Sequence, residues 1–218
     1  MAQARAIYER FQAEQLAATQ LADMARWLET GAPPPAETLR VAGFTTAGPA
    51  DPDRLVFARK AFIRDWGYAI PCAEAVEALR GRGPFVEVGA GTAYWTALLR
   101  AAGLDIVATD AAEGRSDYGF EVGRHAPVEQ LTGAQAVLKH PGRSLFCAWP
   151  TAGEPWAAEA VAQVRPGRLV AMILDERPEM TGDASLGRLL SEGCEALATV
   201  VIPQFPGVRD RLLLYRRL

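Results

Sequence analysis

Apolar positions recur at helical spacing from about Gln3 to Glu29, where Ile7 and Phe11 stand four apart and Leu21, Met24, Ala25 and Leu28 form a stripe. This predicts one long helix or two short ones, stopped at Gly31 and unable to continue through Pro33-Pro34-Pro35. A second helix is predicted over Leu55 to Trp66, with Phe57, Ala58, Ala61, Phe62 and Trp66 available for packing. From Pro71 the pattern changes to an alternation. Pro71 to Arg80 reads as a helix ended by Gly81 and Gly83, and the apolar run Phe85 to Val88 as a buried strand.

The alternation continues with a helix over Thr92 to Ala102 and a strand over Asp105 to Thr109, followed by a polar loop from Ala111 to Arg124 that is expected to face a site. The stretch Val128 to Leu138 holds a short strand or helix. Ser144 to Trp149 reads as a buried strand ending at Pro150, Glu154 to Val164 as a helix and Arg168 to Leu174 as a strand. Strands and helices in alternation predict an α/β chain with a mostly parallel sheet. The end differs. Strands at Ala198 to Ile202 and Leu212 to Arg216 are joined by a connection too short for a helical crossover, so they must pair antiparallel.

The 218 residues, 50% of them hydrophobic, suffice for one two-sided core. A net charge of -3 gives no general attraction to phosphate backbones or anionic lipid, so neither nucleic acid nor membrane is expected as a partner. Arg209, Arg211, Arg216 and Arg217 read as the solvated end of the chain. Cys72, Cys147 and Cys194 are widely spaced, which indicates neither a disulfide framework nor a metal site. With no apolar run of about 18 residues, a soluble cytoplasmic protein is expected.

Chemistry concentrates where the first strand of the alternation meets the next helix, Glu87-Val88-Gly89-Ala90-Gly91-Thr92-Ala93-Tyr94-Trp95. Gly89 and Gly91 allow a tight turn whose backbone N–H groups can approach a ligand, with a helix N-terminus aimed at it. A dinucleotide fingerprint would need glycine at 94, where this chain has Tyr94, and that argues against NAD. The spacing acid-x-G-x-G-x-small is met by Glu87, Gly89, Gly91 and Ala93. The next strand ends in Asp110, about twenty residues beyond the glycines, where a βαβ unit brings a carboxylate to ribose hydroxyls.

At these residues the sequence resembles the class I S-adenosylmethionine-dependent methyltransferases. From about Trp66 to Arg217 it is similar to a little-described branch marked by W-G-Y-A-I-P (Trp66 to Pro71), E-V-G-A-G-T-x-Y-W (Glu87 to Trp95), H-P-x-R-x-L-x-x-x-W-P (His140 to Pro150) and I-P-x-x-P-G-x-x-D-R-L-L-x-Y-R-R (Ile202 to Arg217). The resemblance implies a Rossmann-like three-layer sandwich, with a seven-stranded, mostly parallel sheet closed by a C-terminal antiparallel hairpin. It implies S-adenosyl-L-methionine as cofactor, contacted by Glu87, Gly89, Ala90, Gly91, Tyr94, Trp95, Asp110 and Trp149, and a small-molecule acceptor. Residues 1–66 are expected to form a helical cap and residues 67–218 the cofactor domain. The cap's apolar face must be buried against the sheet, a neighbouring helix or a second chain, so a homodimer is one expected arrangement.

The chain departs from the branch at two strand ends. Where the branch has Trp-Pro-Pro-Tyr, a relative of the element that positions amino groups in other methyltransferases, this chain has Trp149-Pro150-Thr151-Ala152, and Asp175-Glu176-Arg177 stands after the following strand. Methyl transfer needs few catalytic groups beyond alignment and a desolvated site. If an acceptor proton must be removed, the candidate bases are His125, Asp175 and Tyr68, with Glu176 beside them. His140, before Pro141, is expected to cap a helix C-terminus. The alternative to an enzyme is a chain that keeps the fold as a binding partner or for chemistry other than methylation.

Overall fold

The structure, a computed structural model, describes residues 23–41, 59–60, 62–112, 123–178, 180–205 and 207–218. Ile7, Phe11, Leu21, the start of the helix expected from Leu55 and the centre of the polar loop lie outside the described residues. Residues 23–30 are helical and end at Gly31, as the sequence predicts. The proline connector leads into α1 (Ala36–Val41), and residues 62–65 form the end of a further helix.

The alternating part follows as α2 (Ala73–Leu79), β1 (Phe85–Val88), α3 (Tyr94–Ala101), β2 (Ile106–Asp110), β3 (Val128–Gln130), α4 (Gly133–Lys139), β4 (Ser144–Ala148), α5 (Trp156–Ala162), β5 (Leu169–Asp175), α6 (Ala184–Gly193), β6 (Cys194–Val201) and β7 (Asp210–Arg217). The stretch left open between strand and helix holds both, β3 and then α4, whose start is fixed by a capping box between Thr132 and Gln135. Helix α6 was not foreseen. It begins at Asp183, whose carboxylate accepts the Leu186 N–H at 3.0 Å.

The strands form one seven-stranded sheet in the order β3-β2-β1-β4-β5-β7-β6. β1 pairs in parallel with β2 and β4, and β7 lies antiparallel between β5 and β6. This is the mostly parallel sheet with a C-terminal antiparallel hairpin that the methyltransferase resemblance implies. The order reverses between β1 and β4, which opens a crevice at the carboxyl ends of these strands.

Alternation along the strands sorts side chains onto two faces. Phe85, Phe146, Ala171 and Ile173 join a cluster with α3 on one face, while Val86, Val88, Leu145, Cys147, Val170 and Met172 join a cluster with α4, α5 and α6 on the other. Met24, Trp27, Leu39, Phe62 and Trp66 belong to the first cluster, so the N-terminal helical segments are packed on the α3 side of the sheet. Two hydrogen bonds tie the proline connector to α2: Ala36 N–H donates to Glu74 Oε2 and Ala73 N–H to the Pro34 carbonyl, both at 3.0 Å.

Cys72, Cys147 and Cys194 are unbonded to one another and buried. The C-terminal arginines form no basic stripe: Arg211 pairs with Glu176 and Arg216 with Glu195, each at 3.0 Å. Among the described residues, no helix is long and apolar enough to cross a membrane.

Candidate functional site

The crevice at the reversal point contains a cavity of about 380 Å³, within the range of small-molecule sites of roughly 300–1,000 Å³. Its floor is the glycine turn. Gly89 and Gly91 have φ of 66° and 52°, which glycine adopts without steric cost. Ala93 also lies in the left-handed region at 55° and begins α3 without a capping side chain. A Cβ on Gly91 would meet nothing within 4 Å, whereas one on Gly89 would come within 2.5 Å of the Trp156 ring. Gly91 therefore leaves its backbone open to a ligand, and Gly89 makes room for Trp156.

The two acids of the turn are held from within. Asp110 Oδ2 accepts the Gly91 N–H and Oδ1 the Ala112 N–H, both at 2.7 Å. Two acceptor oxygens have lone pairs for two more donors, so the carboxylate can still receive hydroxyls. Glu87 is buried and accepts both the Thr96 N–H and the Thr96 hydroxyl. Burial pushes its carboxyl up to about 7 against those bonds, Asp110 pushes the same way, and Arg100 opposes.

The sign of the resulting pH dependence follows. Between the ordinary value of 4.5 and about 7 the folded chain keeps a proton that the unfolded chain has released, so stability at this site is full below that window and lost as pH rises through it. Glu87→Gln keeps an acceptor for Thr96 and cannot ionise. In urea unfolding it is expected to gain on the wild type by on the order of 2–3 kcal/mol between pH 4.5 and 8. Parallel stability profiles across that range would remove the titration from Glu87. Asp210, pushed up to about 7 by burial, is present in both proteins and cancels in the comparison.

One wall comes from the segment before α2. Ile63, Trp66, Gly67 and Tyr68 line the cavity, and the Thr92 hydroxyl donates to the Trp66 carbonyl at 2.6 Å, tying this segment to the glycine turn. Tyr68 stacks on Trp149, with centroids 5.5 Å apart and planes 15° apart. Trp149 leaves β4 with φ of 59°, a conformation that costs a residue with a Cβ about 1–2 kcal/mol. Its backbone N–H donates to the Ile173 carbonyl at 3.0 Å and its indole N–H to Asp210 Oδ1 at 2.8 Å, which fix the ring despite that cost. Thr132, Gly133, Trp156 and Glu159 also line the cavity, with Trp156 against Gly89 and Gly133.

Of the residues singled out in the sequence, Glu87, Gly89, Ala90, Gly91, Tyr94, Trp95, Asp110, Trp149 and Tyr68 all line this cavity. His125 and Asp175 do not, and the structure corrects both as candidate bases. His125 Nε2 faces the Asp65 carbonyl at 2.7 Å, which can only accept, so Nε2 carries the proton. Its ring stacks on Trp66 at 4.6 Å and its backbone N–H donates to the Thr92 carbonyl at 2.8 Å, so it braces the wall from behind. Asp175 takes a two-pronged bond from Arg177 at 2.9 and 2.8 Å and the Arg209 N–H at 2.9 Å. Burial alone would raise its carboxyl, but these donors hold it down at about 2, far too acidic to take a proton from an acceptor.

Glu176 is paired with Arg211. His140 occupies the C-terminal cap of α4, as expected, and its Nε2 lies 3.0 Å from Glu129. The sequence reading missed Trp156, Gly133 and Glu159. Nothing local marks Trp156: its role arises from contact with Gly89, and the glycines at 89 and 133, both facing it, were the available signal.

The residues present fit S-adenosylmethionine. The open side of Gly91 admits a close approach, Asp110 has acceptor capacity for ribose hydroxyls, and the charged groups on the wall suit a sulfonium.

No protein-family model matches the chain, and a search of curated proteins finds no match. Solved structures similar to it include the glycopeptide N-methyltransferase MtfA complexed with S-adenosyl-L-homocysteine, at 14% identity and a TM-score of 0.48, covering 78% of this chain and 100% of that one. Magnesium protoporphyrin IX methyltransferase from Synechocystis PCC 6803 with bound SAM is similar at 12% identity and a TM-score of 0.46, covering 79% and 100%. The PH0226 protein from Pyrococcus horikoshii OT3 is similar at 11% identity and 0.46, covering 66% and 86%. At these scores the likenesses add nothing to the residue-level reading of the site.

Proposed function

We propose that the protein is an S-adenosylmethionine-dependent methyltransferase acting on a small molecule. The observation that carries this reading is the open backbone of Gly91 beside Asp110, at the floor of a cavity where the sheet order reverses. Gly89, Ala90 and Gly91 would form the cradle, Asp110 would receive the ribose, and the cofactor would supply a methyl group activated by a positively charged sulfur. The chain's own part is alignment and exclusion of water by Trp66, Tyr68, Tyr94, Trp95 and Trp149. The N-terminal segment acts as a cap in this reading, through Ile63 to Tyr68.

Calorimetry should find S-adenosylmethionine or its demethylated product binding at micromolar level. Asp110→Ala is expected to weaken that affinity by about one to two orders of magnitude, the value of hydroxyl bonds to a carboxylate. An unchanged dissociation constant would exclude Asp110 as the ribose acceptor, and absence of binding below about 1 mM, roughly 4 kcal/mol, would sink the cofactor assignment. One observation favours a second reading, a fold retained for binding without turnover: Glu87 and Asp110 already have internal donors. Binding of the cofactor without methyl transfer to any acceptor would select it.

A further inference from the structure

The ionisable side chains on the cavity wall among the described residues are Glu87, Asp110 and Glu159, all acids, with no lysine, arginine or histidine, and burial holds the Glu87 carboxyl up at about 7. Six aromatic residues, Trp66, Tyr68, Tyr94, Trp95, Trp149 and Trp156, line the same space. Two basic side chains stand close by and neither is on the wall. The Arg59 guanidinium lies 4.9 Å from the Trp149 ring centroid, and His125 is turned to the Asp65 carbonyl. An acceptor bearing a carboxylate or phosphate would be desolvated in this negative field without a counter-charge. Aromatic faces and carboxylates instead favour positive charge.

We infer that the methyl acceptor is the neutral nitrogen of an amine carried on a flat, apolar frame. This rests on the methyltransferase reading above and names the acceptor class for that site. In the transfer, the nitrogen lone pair forms the new C–N bond while the methyl C–S bond breaks and leaves its electron pair on sulfur. One positive charge thus passes from sulfur to nitrogen inside the cavity, and the ammonium later gives its N–H proton to water. The field that stabilises the charge at the start stabilises it at the end; an amine that arrives as its ammonium first gives one proton to water, which exposes the lone pair, and no dedicated protein base takes part. That agrees with the withdrawal of His125 and Asp175 from the cavity. A phenol or carboxylic acid would have to form its anion with no cation on the wall to meet it, and the transfer would then annihilate the positive charge the aromatic faces favour.

Two probes on one frame test the inference: 1-naphthylmethylammonium and 1-naphthoate, titrated by calorimetry into the full chain saturated with S-adenosylhomocysteine. The ammonium is expected to bind at least about tenfold tighter. Glu159→Lys, at an exposed position, should narrow that ratio by at least about threefold without unfolding the chain, because it puts a cation on the wall. With S-adenosylmethionine in place, mass spectrometry should find the methyl group on 1-naphthylmethylamine in preference to 1-naphthol. Equal or tighter binding of 1-naphthoate to the saturated protein, or preferential methylation of 1-naphthol, overturns the amine assignment and leaves the methyltransferase reading standing. Failure of S-adenosylhomocysteine to bind at all overturns both.

Discussion

Replacing Gly31 with alanine should lower the unfolding free energy by about 3–5 kcal/mol. Gly31 ends the first helical segment with φ of 64°, and its N–H donates to the Trp27 carbonyl at 2.8 Å. A Cβ there would stand 2.4 Å from the Ala101 carbonyl carbon and the Ala102 nitrogen, and 2.5 Å from the Ala101 oxygen. These are backbone atoms at the end of α3, held by the Ala102 N–H bond to Leu98, so no rotamer change relieves the contact. The left-handed conformation adds about 1–2 kcal/mol and the overpacking about 1–3 kcal/mol or more. Gly81→Ala is the control. Its φ of 71° carries the same backbone cost, but a Cβ there would meet nothing within 4 Å, so it should lose only about 1–2 kcal/mol. Equal urea midpoints for the two variants would show that the close approach at Gly31 is not rigid.

The same contact explains why the N-terminal segment cannot be understood from its own pattern. The sequence shows an apolar stripe and a stop at Gly31; in the described part the stop is present, Met24 is buried and Leu28 half-buried, and Ala25 is exposed. That Gly31 touches the end of α3, or that Met24 lies beneath Tyr94, depends on tertiary packing that no local spacing encodes. The core strands were legible for the opposite reason. β1, β4 and β5 are buried on both faces and therefore read as mostly apolar runs, broken within β1 by Glu87, and the C-terminal pairing followed from the length of one connection. Helix α6 escaped because only Leu186 and Leu190 of its ten residues are buried, and Gly187 and Gly193 interrupt the pattern.

At the site, residues defined by a local turn line the cavity, and His125 and Asp175, chosen for their chemistry alone, do not. Glu87, Gly89, Gly91 and Asp110 are fixed by strand, turn and strand, so spacing sufficed. His125 and Asp175 were chosen because a histidine and an aspartate can act as bases, but the groups that occupy them, the Asp65 carbonyl and the Arg177 guanidinium with the Arg209 N–H, come from tertiary structure and from a short return of the chain. Trp149 lies between these cases. Its position at a strand end was legible, while the Asp210 bond that holds its ring required knowing that β7 inserts beside β5 with Asp210 opposite Asp175.

Gly91→Val should abolish binding of S-adenosylmethionine, with affinity falling by more than about a hundredfold, while the chain stays folded. The two glycines of the turn separate the effects. At Gly89 a side chain would strike Trp156, so a substitution there disturbs packing as well as binding and cannot be interpreted cleanly. At Gly91 a Cβ would meet no protein atom within 4 Å and would project from the cavity lining, so the protein has nothing to rearrange. The backbone cost of a branched residue at φ of 52° is about 1–3 kcal/mol, which a folded domain of ordinary stability, roughly 5–15 kcal/mol, survives. The Gly91 N–H can still reach Asp110, so the ribose acceptor stays in place and what is lost is the close approach of ligand to backbone. Circular dichroism should report an intact fold and calorimetry no heat of binding. A variant that binds the cofactor within about threefold of the wild type would show that the ligand does not pass over Gly91, and with that the observation carrying the proposed function would fail.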